Sequence, residues 1–224
     1  MTTLPDELDL RRFEDVIRGY EAKPESPGQV LLYGSSFFAN WGYGDAKRQW
    51  LCATGGLLSA VNHGFGGATA DELLYYYGRM VLPYAPSAVV LRAGINDVFR
   101  GYSPEDAWLL TERLVRWIRA DFPQIPVVIL QIFDFASAGE RHGKMLRYNA
   151  LTAEYAAAHE LVTSLDISPF FHEDPSQCGT LEGFRDVFQE DGLHLRPPFY
   201  EDMAAYLAPA VAKILGVRLP AERN

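Results

Sequence analysis

An apolar run from Val30 to Tyr33, followed by Gly34, Ser35 and Ser36, constrains the fold of this chain more than any other stretch. Such a run ending on glycine is typical of an interior strand in a parallel sheet, where both faces are buried. Gly34 allows a sharp turn, which places a serine beyond the carboxyl end of the strand. Ligands bind at that edge in open α/β sheets. A serine after a glycine is also ordinary turn chemistry, so the run alone does not establish a site.

Further apolar runs alternate with segments of helical spacing along the rest of the chain. The first helical segment precedes the strand, as an extension at about residues 7–21. Thr69 and Glu72 have the spacing of a capping box, and Ser103 followed by Pro104 is typical of another helix start. Pro209 is expected to kink or break the last helix. The polar, glycine-containing stretch 137–144 is expected to be a loop, and 169–190 an irregular connection with at most short helical pieces. This alternation predicts an α/β fold, a three-layer α/β/α sandwich whose later strands lie at 60–63, 87–91, 126–133 and 161–167.

Composition excludes several classes of function. The net charge is -9 and the pI about 5.0, so a nucleic-acid partner would meet repulsion. No apolar stretch approaches the roughly 20 residues that span a bilayer, and the acidic amino terminus lacks the apolar core of a secretory signal. We therefore expect a single cytoplasmic domain over residues 1–224, without membrane insertion. The two cysteines, Cys52 and Cys178, have no CxxC spacing, so we expect no metal and no cofactor.

Four short motifs fall at predicted strand ends or just before a helix: Ser36, Gly67, Asn96, and Asp191 with His194. Each alone is compatible with a turn, a cap or a loop ending. Together they supply the parts of acyl transfer, because a serine needs an imidazole to take its proton and a carboxylate to orient that imidazole. The backbone N–H groups of Ser36 and Gly67, with the Asn96 amide, would stabilise the oxyanion.

These motifs resemble the four blocks of the SGNH, or GDSL-like, hydrolases, and they occur in the family's order over residues 34–194. The resemblance implies a flavodoxin-like five-stranded sheet and esterase, lipase, acetylesterase or thioesterase chemistry. It implies Ser36 as nucleophile, His194 as base, Asp191 as acid, and Ser36, Gly67 and Asn96 as oxyanion donors. The first block reads Gly-Ser-Ser, so that Ser35 stands where aspartate is usual, which is similar to one known branch of the family.

The sequence thus predicts a serine hydrolase that cleaves a small-molecule ester or thioester, with a short acyl group, through an acyl-enzyme. An acyltransferase with the same triad remains an alternative, as does a non-catalytic, small-ligand-binding module with a flavodoxin-like sheet. The sequence does not determine the oligomeric state, and a homo-oligomer is possible. His63 is a lesser candidate for the pocket, a surface or core histidine being the simpler interpretation. His172, Glu173 and Asp174 are a weak candidate for a cation site, and a solvated loop is the simpler interpretation there.

Overall fold

Five parallel strands form the centre of the protein in a computed structural model that describes residues 9–23 and 25–220. The sheet has the order β2-β1-β3-β4-β5. This is the doubly wound, flavodoxin-like order, in which the strand order reverses between β1 and β3. The predicted α/β fold with a five-stranded parallel sheet is therefore confirmed. The strands are β1 (Val30–Gly34), β2 (Ala60–Gly64), β3 (Ala88–Arg92), β4 (Val127–Leu130) and β5 (Val162–Leu165).

Helices cover both faces of the sheet. Among the described residues, no helix is both long and apolar enough to cross a membrane. The helices are α1 (Glu14–Glu21), α2 (Ser36–Ala39), α3 (Tyr43–Ala53), α4 (Ala70–Met80), α5 (Ile95–Phe99), α6 (Pro104–Asp121), α7 (His142–Ala158) and α8 (Phe199–Ile214). Helix α3 packs against α8, whereas α4, α6 and α7 pack against one another in that order, and α1 packs on α4.

Burial explains why the strand sequences are so uniformly apolar. Every residue of β1 to β4 is buried, whereas the last three residues of the edge strand β5 are only half-buried. Gly34 pairs with Gly64 on one side and with Arg92 on the other. Strands β1, β2 and β3 therefore end level with one another, and the loops that follow them begin at one edge of the sheet.

Two glycines allow the close packing at this edge. A Cβ atom on Gly34 would collide with the backbone carbonyl of Arg92. A Cβ atom on Gly64 would collide with the backbone of α2 at Phe38 and Ala39. Because backbone atoms cannot move aside as a flexible side chain can, only glycine fits at either position.

The structure corrects three expectations about helices. Helix α1 begins at Glu14 rather than near residue 7, because residues 10–13 form a turn; residues 7 and 8 lie outside the described residues. Helix α3 occupies the polar segment after Trp41, where no element was predicted. Pro209 does not break α8, which is continuous because the fully buried Leu207 and Val211 hold it in the core on either side of the proline.

The connection before α7 also differs from expectation. The stretch 137–144 was expected to be a loop, but it contains a 3₁₀ segment, Ala136–Arg141, and the first turn of α7. The predicted irregular stretch at 169–190 is confirmed, with short 3₁₀ turns at Ser168–Phe170 and Pro175–Gln177. This long connection leads directly into the motif that contains Asp191 and His194.

Candidate active site

Ser36 is the first residue of α2, and only Ser35 separates it from the end of β1. The N–H groups of a helix's first turn have no partner within the helix, so the Ser36 N–H is oriented for a group outside it. Strand β1 is buried along its whole length. The side chain of Ser36 is therefore presented from a rigid support at the carboxyl edge of the sheet.

Ser36, His194 and Asp191 are brought together although 158 residues separate the serine from the histidine. His194 Nε2 lies 2.9 Å from Ser36 Oγ, and His194 Nδ1 lies 2.5 Å from Asp191 Oδ2. A carboxylate only accepts hydrogen bonds, so the proton of a neutral ring lies on Nδ1. The lone pair of Nε2 then faces the serine hydroxyl, which is the arrangement in which an imidazole can accept a serine proton.

The loop itself fixes the position of Asp191. Its Oδ1 accepts hydrogen bonds from the backbone N–H groups of Leu193 and His194, each at 2.9 Å. The His194 carbonyl in turn accepts a hydrogen bond from Gln189 N at 2.7 Å. Burial alone would raise the pKa of the Asp191 carboxyl, but hydrogen bonds from the His194 ring and from these two N–H groups lower it to about 2. Asp191 therefore carries a negative charge at neutral pH.

Gly67, in the loop after β2, and Asn96, the second residue of α5, lie at the same edge of the sheet. Gly67 has a positive φ of 79°, which glycine adopts without strain. Asn96 Nδ2 donates to the carbonyl of Ala68 at 2.8 Å, so the start of α5 is tied to the loop after β2. A Cβ atom on Gly66 would lie 4.0 Å from the Cβ of Ser36, which places the glycine loop next to the serine.

Charged side chains hold the glycine loop in place. Arg12 donates from Nη2 to the Gly67 carbonyl at 2.7 Å and also pairs with the buried Glu72. Glu72 accepts the Thr69 N–H at 2.9 Å, the contact that the capping-box spacing predicts. Asp97, next to Asn96, accepts the N–H of Ala70 at 3.0 Å. These bonds fix the C-terminal half of the loop that contains Gly67.

A small cavity of about 10 Å³ lies beside Ser36 and His194. Two of its lining residues, Arg92 and Tyr200, were not predicted from the sequence. Arg92 could have been recognised as a charged residue at the end of an apolar strand. The sequence contains no comparable signal for Tyr200. Gly67 and Asn96 do not line this cavity within the described part of the chain. The other walls are formed by Ser35, Phe37, Ile95, Phe133, Leu193 and Leu195.

The two lesser histidine candidates lie in the core. His63 is fully buried and its Nδ1 lies 2.8 Å from the Met80 carbonyl. Burial lowers the pKa of the His63 ring to about 4, so it is neutral at physiological pH. His172 is buried against Asp134, with Nε2 3.3 Å from Oδ2. In the described residues, no three His, Cys, Asp or Glu side chains are arranged to hold a metal.

Comparison with known proteins identifies the class. The profile of the GDSL-like lipase/acylhydrolase family matches residues 32–201. A GDSL-like lipase from Bacteroides thetaiotaomicron superposes with a TM-score of 0.72 at 17% identity, covering 92% of this chain and 99% of that one. A lipase/acylhydrolase from Enterococcus faecalis gives 0.65 at 22% identity, covering 88% and 100%. An acetyl xylan esterase gives 0.66 at 18% identity, covering 82% and 99%. The comparison with curated protein sequences gave no match.

The matched residues span more than two thirds of the chain and contain all four motifs. The chain therefore belongs to the GDSL-like lipase/acylhydrolase family. It is a hydrolase of the esterase type. Of the two alternatives left open by the sequence, an enzyme and a non-catalytic binding module, the family therefore supports the enzyme. These three solved structures, all below 25% identity, support the fold.

Proposed function

We propose that Ser36, His194 and Asp191 form the catalytic triad of a serine esterase. The observation that carries the proposal is the unbroken chain of contacts from Asp191 Oδ2 to His194 Nδ1, and from His194 Nε2 to Ser36 Oγ. His194 takes the serine proton as Oγ attacks the acyl carbon, and then gives that proton to the leaving alcohol or thiol. Water hydrolyses the resulting acyl-enzyme with the same base. Asp191 holds the ring and stabilises the imidazolium.

The oxyanion of the tetrahedral intermediate requires donors that are already in place. We propose the N–H groups of Ser36 and Gly67 and the side-chain amide of Asn96. One amide N–H of Asn96 is used by the Ala68 carbonyl, and that bond orients the second N–H without consuming it. The hydrogen bond of Arg12 to the Gly67 carbonyl supports the same loop from its outer side.

The substrate we propose is an ester or thioester with a short acyl group. The cavity beside Ser36 has a volume of about 10 Å³, which is close to the minimum that holds one water molecule. Each added methylene stabilises binding by about 0.8 kcal/mol only while it can be buried. A long acyl chain would have to extend beyond this cavity, where its methylenes would not be buried. The net charge of -9 supports a small-molecule substrate rather than a nucleic-acid partner.

Covalent labelling by a fluorophosphonate probe tests the nucleophile. Ser36→Ala should abolish labelling, because the probe forms its bond with the activated hydroxyl. Ser35→Ala is the matched control: the same change one residue earlier should leave a protein that still labels. Labelling that survives in Ser36→Ala and disappears in Ser35→Ala would exchange the two assignments.

The base and its partner are tested by turnover of the purified variants. His194→Ala should lose most of the activity. Asp191→Asn keeps the shape of the side chain but removes the charge that fixes the ring, and the corresponding change in a serine protease triad lowers turnover about 10⁴-fold. Wild-type turnover in a folded Asp191→Asn protein would remove Asp191 from the triad.

The oxyanion assignment is tested by Asn96→Ala. Loss of one donor typically lowers kcat about 10²–10³-fold, with little effect on KM, because the charge develops only in the transition state. Since Asn96 also bonds to Ala68, circular dichroism and thermal melting must show that the variant is folded. Unchanged kcat in the folded variant would leave Asn96 a purely structural role.

The substrate class is tested with p-nitrophenyl esters from acetyl to palmitoyl, with and without EDTA. We expect hydrolysis that requires Ser36, is insensitive to EDTA and is fastest for short chains. A maximum at long chains would contradict the short-acyl proposal while leaving the triad intact. Adding an acceptor alcohol would reveal an acyltransferase through formation of a new ester in place of free acid.

A further inference from the structure

Arg92, the last residue of β3, is a buried cation for which the described residues provide no counter-charge. Its side chain is 1% exposed, and it forms no ion pair with any carboxylate of the described residues. Within the same residues, its Nε and Nη1 atoms are buried and have no hydrogen-bond partner. The guanidinium carbon lies 5.0 Å from the ring centroid of Phe133 and 5.9 Å from that of Phe37. Aromatic rings attract a cation but do not accept the in-plane hydrogen bonds of its N–H groups. The N–H donors of Arg92 therefore still require a hydrogen-bond acceptor.

Two hydroxyls share this environment. The Tyr200 hydroxyl and Ser35 Oγ are both buried, and in the described part of the chain neither has a hydrogen-bond partner. Arg92, Tyr200 and Ser35 all line the cavity beside Ser36. Buried polar groups in native proteins are almost always hydrogen-bonded, to protein, water or a ligand, so several unpartnered donors around one cavity indicate an occupant that accepts hydrogen bonds. The ligand must accept hydrogen bonds, and the charge of Arg92 favours an anion.

The volume limits the size of that anion. The cavity measures about 10 Å³, enough for about one water-sized group. A halide is of about this size, and so is one oxygen of a carboxylate group that enters from the side of Ser36. A phosphate ester or a sulfate is too large. The apolar remainder of the wall, including Phe37 and Phe133, favours a compact monoanion over a more strongly hydrated dianion.

We propose that this cavity is an anion-binding site, in which the Arg92 guanidinium and the Tyr200 hydroxyl donate hydrogen bonds to a compact monoanion. The same chemistry has two sources: a free halide, or a carboxylate at the far end of the substrate's acyl group. A free halide would compete with the acyl group for the space beside Ser36. An acyl carboxylate would instead make Arg92 a specificity-determining residue. The substrate alternative rests on the proposed esterase function, whereas the halide alternative does not.

The ionisation states agree with this role. Burial lowers the pKa of the Arg92 guanidinium to about 10, which leaves it protonated at neutral pH. Burial also raises the pKa of the Tyr200 hydroxyl far above its ordinary value, so it remains a neutral donor. Among the described residues that line the cavity, Arg92 thus supplies a positive charge and no carboxylate opposes it.

The first experiment measures halide binding by ³⁵Cl NMR line broadening, at constant ionic strength with gluconate as the large replacement anion. Wild type should broaden the chloride line in a saturable way, and bromide should compete. Arg92→Met should weaken chloride binding about tenfold or more, since it removes the charged donors. Arg113→Met, on the exposed face of α6, is the matched control and should bind as wild type does.

The second experiment compares two esters that differ only at the far end of the acyl chain. p-Nitrophenyl hemisuccinate carries a carboxylate where p-nitrophenyl butyrate carries a methyl group. If the substrate supplies the anion, wild type should prefer the hemisuccinate in kcat/KM, and Arg92→Met should reduce that ratio about tenfold or more. Hydrolysis of neither ester would refute the esterase proposal for these substrates, and the chloride measurement would then decide the anion site alone.

Because Arg92 is buried, its replacement by methionine can prevent folding. Tyr200→Phe removes only a hydroxyl, and Arg92→Lys keeps the charge while losing the planar fork of donors. In folded protein, both variants should weaken chloride binding or reduce the ester ratio, by less than Arg92→Met does. Saturable chloride binding, or a preference for the hemisuccinate, that is weakened or abolished in the Arg92 and Tyr200 variants supports the site. The first response identifies a free halide as the anion, and the second identifies a carboxylate of the substrate. The absence of both responses in wild type, or their full retention in these variants, overturns it.

Discussion

The free energy of unfolding of Asp97→Asn, measured relative to that of wild type, should be higher at alkaline pH than at acidic pH. Asp97 is fully buried next to Asn96, and both of its carboxylate oxygens face the N–H of Ala70, at 3.0 and 3.2 Å. Burial raises the pKa of this carboxyl from its ordinary value of 3.8 to about 7, against the opposing effect of the Ala70 hydrogen bond. Asparagine keeps an oxygen for that bond and never ionises.

The sign and size follow from linkage. Between pH 3.8 and about 7 the unfolded chain releases this proton while the folded chain keeps it, so stability falls as pH rises. At 1.36 kcal/mol per pKa unit, wild type loses about 4 kcal/mol by pH 8 relative to a side chain that stays neutral. Roughly 2 kcal/mol of this loss is already present at pH 5. The stability advantage of Asp97→Asn should therefore grow by about 2 to 3 kcal/mol from pH 5 to pH 8.

The assay is urea unfolding of both proteins at pH 5, 6, 7 and 8, followed by circular dichroism with a common m-value. Asp45→Asn is the matched control, because that side chain is 66% exposed and its replacement should show no such growth. A difference between wild type and Asp97→Asn that is the same at pH 5 and pH 8 would refute the raised pKa. It would also show that the start of α4 is stabilised by charge rather than by shape.

Two further predictions concern stability. Arg12→Met should cost about 3 kcal/mol or more in urea unfolding, since it leaves the buried Glu72 unpaired; Arg18→Met, which removes an exposed pair, should cost less than about 1 kcal/mol, and equal costs would contradict the structure. Gly34→Ala should destabilise by about 1–3 kcal/mol or more because its Cβ would strike the backbone of β3. Gly78→Ala, in open space on α4, should instead stabilise by up to about 1 kcal/mol, and thermal melts that rank the two alike would refute this.

Local sequence was sufficient for the elements that depend on local chemistry. The apolar run before Gly34 predicted a buried strand, because only a strand covered on both faces needs such uniform composition. Thr69 and Glu72 predicted the start of α4 at the correct residue, since a cap is made by side chains three residues apart. The family resemblance rested on motifs of the same local kind, and the profile match confirmed it.

Elements whose stability comes from distant contacts were missed or misplaced. Helix α3 has a polar sequence, but Ala46 and Trp50 are buried, and the helix packs against α8 from the far end of the chain. Helix α8 continues past Pro209 for the same reason, because its buried face secures the turns on both sides of the proline. Packing thus overrode local propensity in both helices.

The sequence by itself determined the alternation of strands with helices, the family, and the set of residues proposed for the triad. Only the tertiary structure decided that His194 lies within hydrogen-bonding distance of Ser36, because the sheet brings the ends of distant segments to one edge. Only the tertiary structure revealed that the charge of Arg92 is unpaired among the described residues. An arginine in a sequence shows its charge but not its surroundings, and burial without a partner exists only once the surrounding chain has folded.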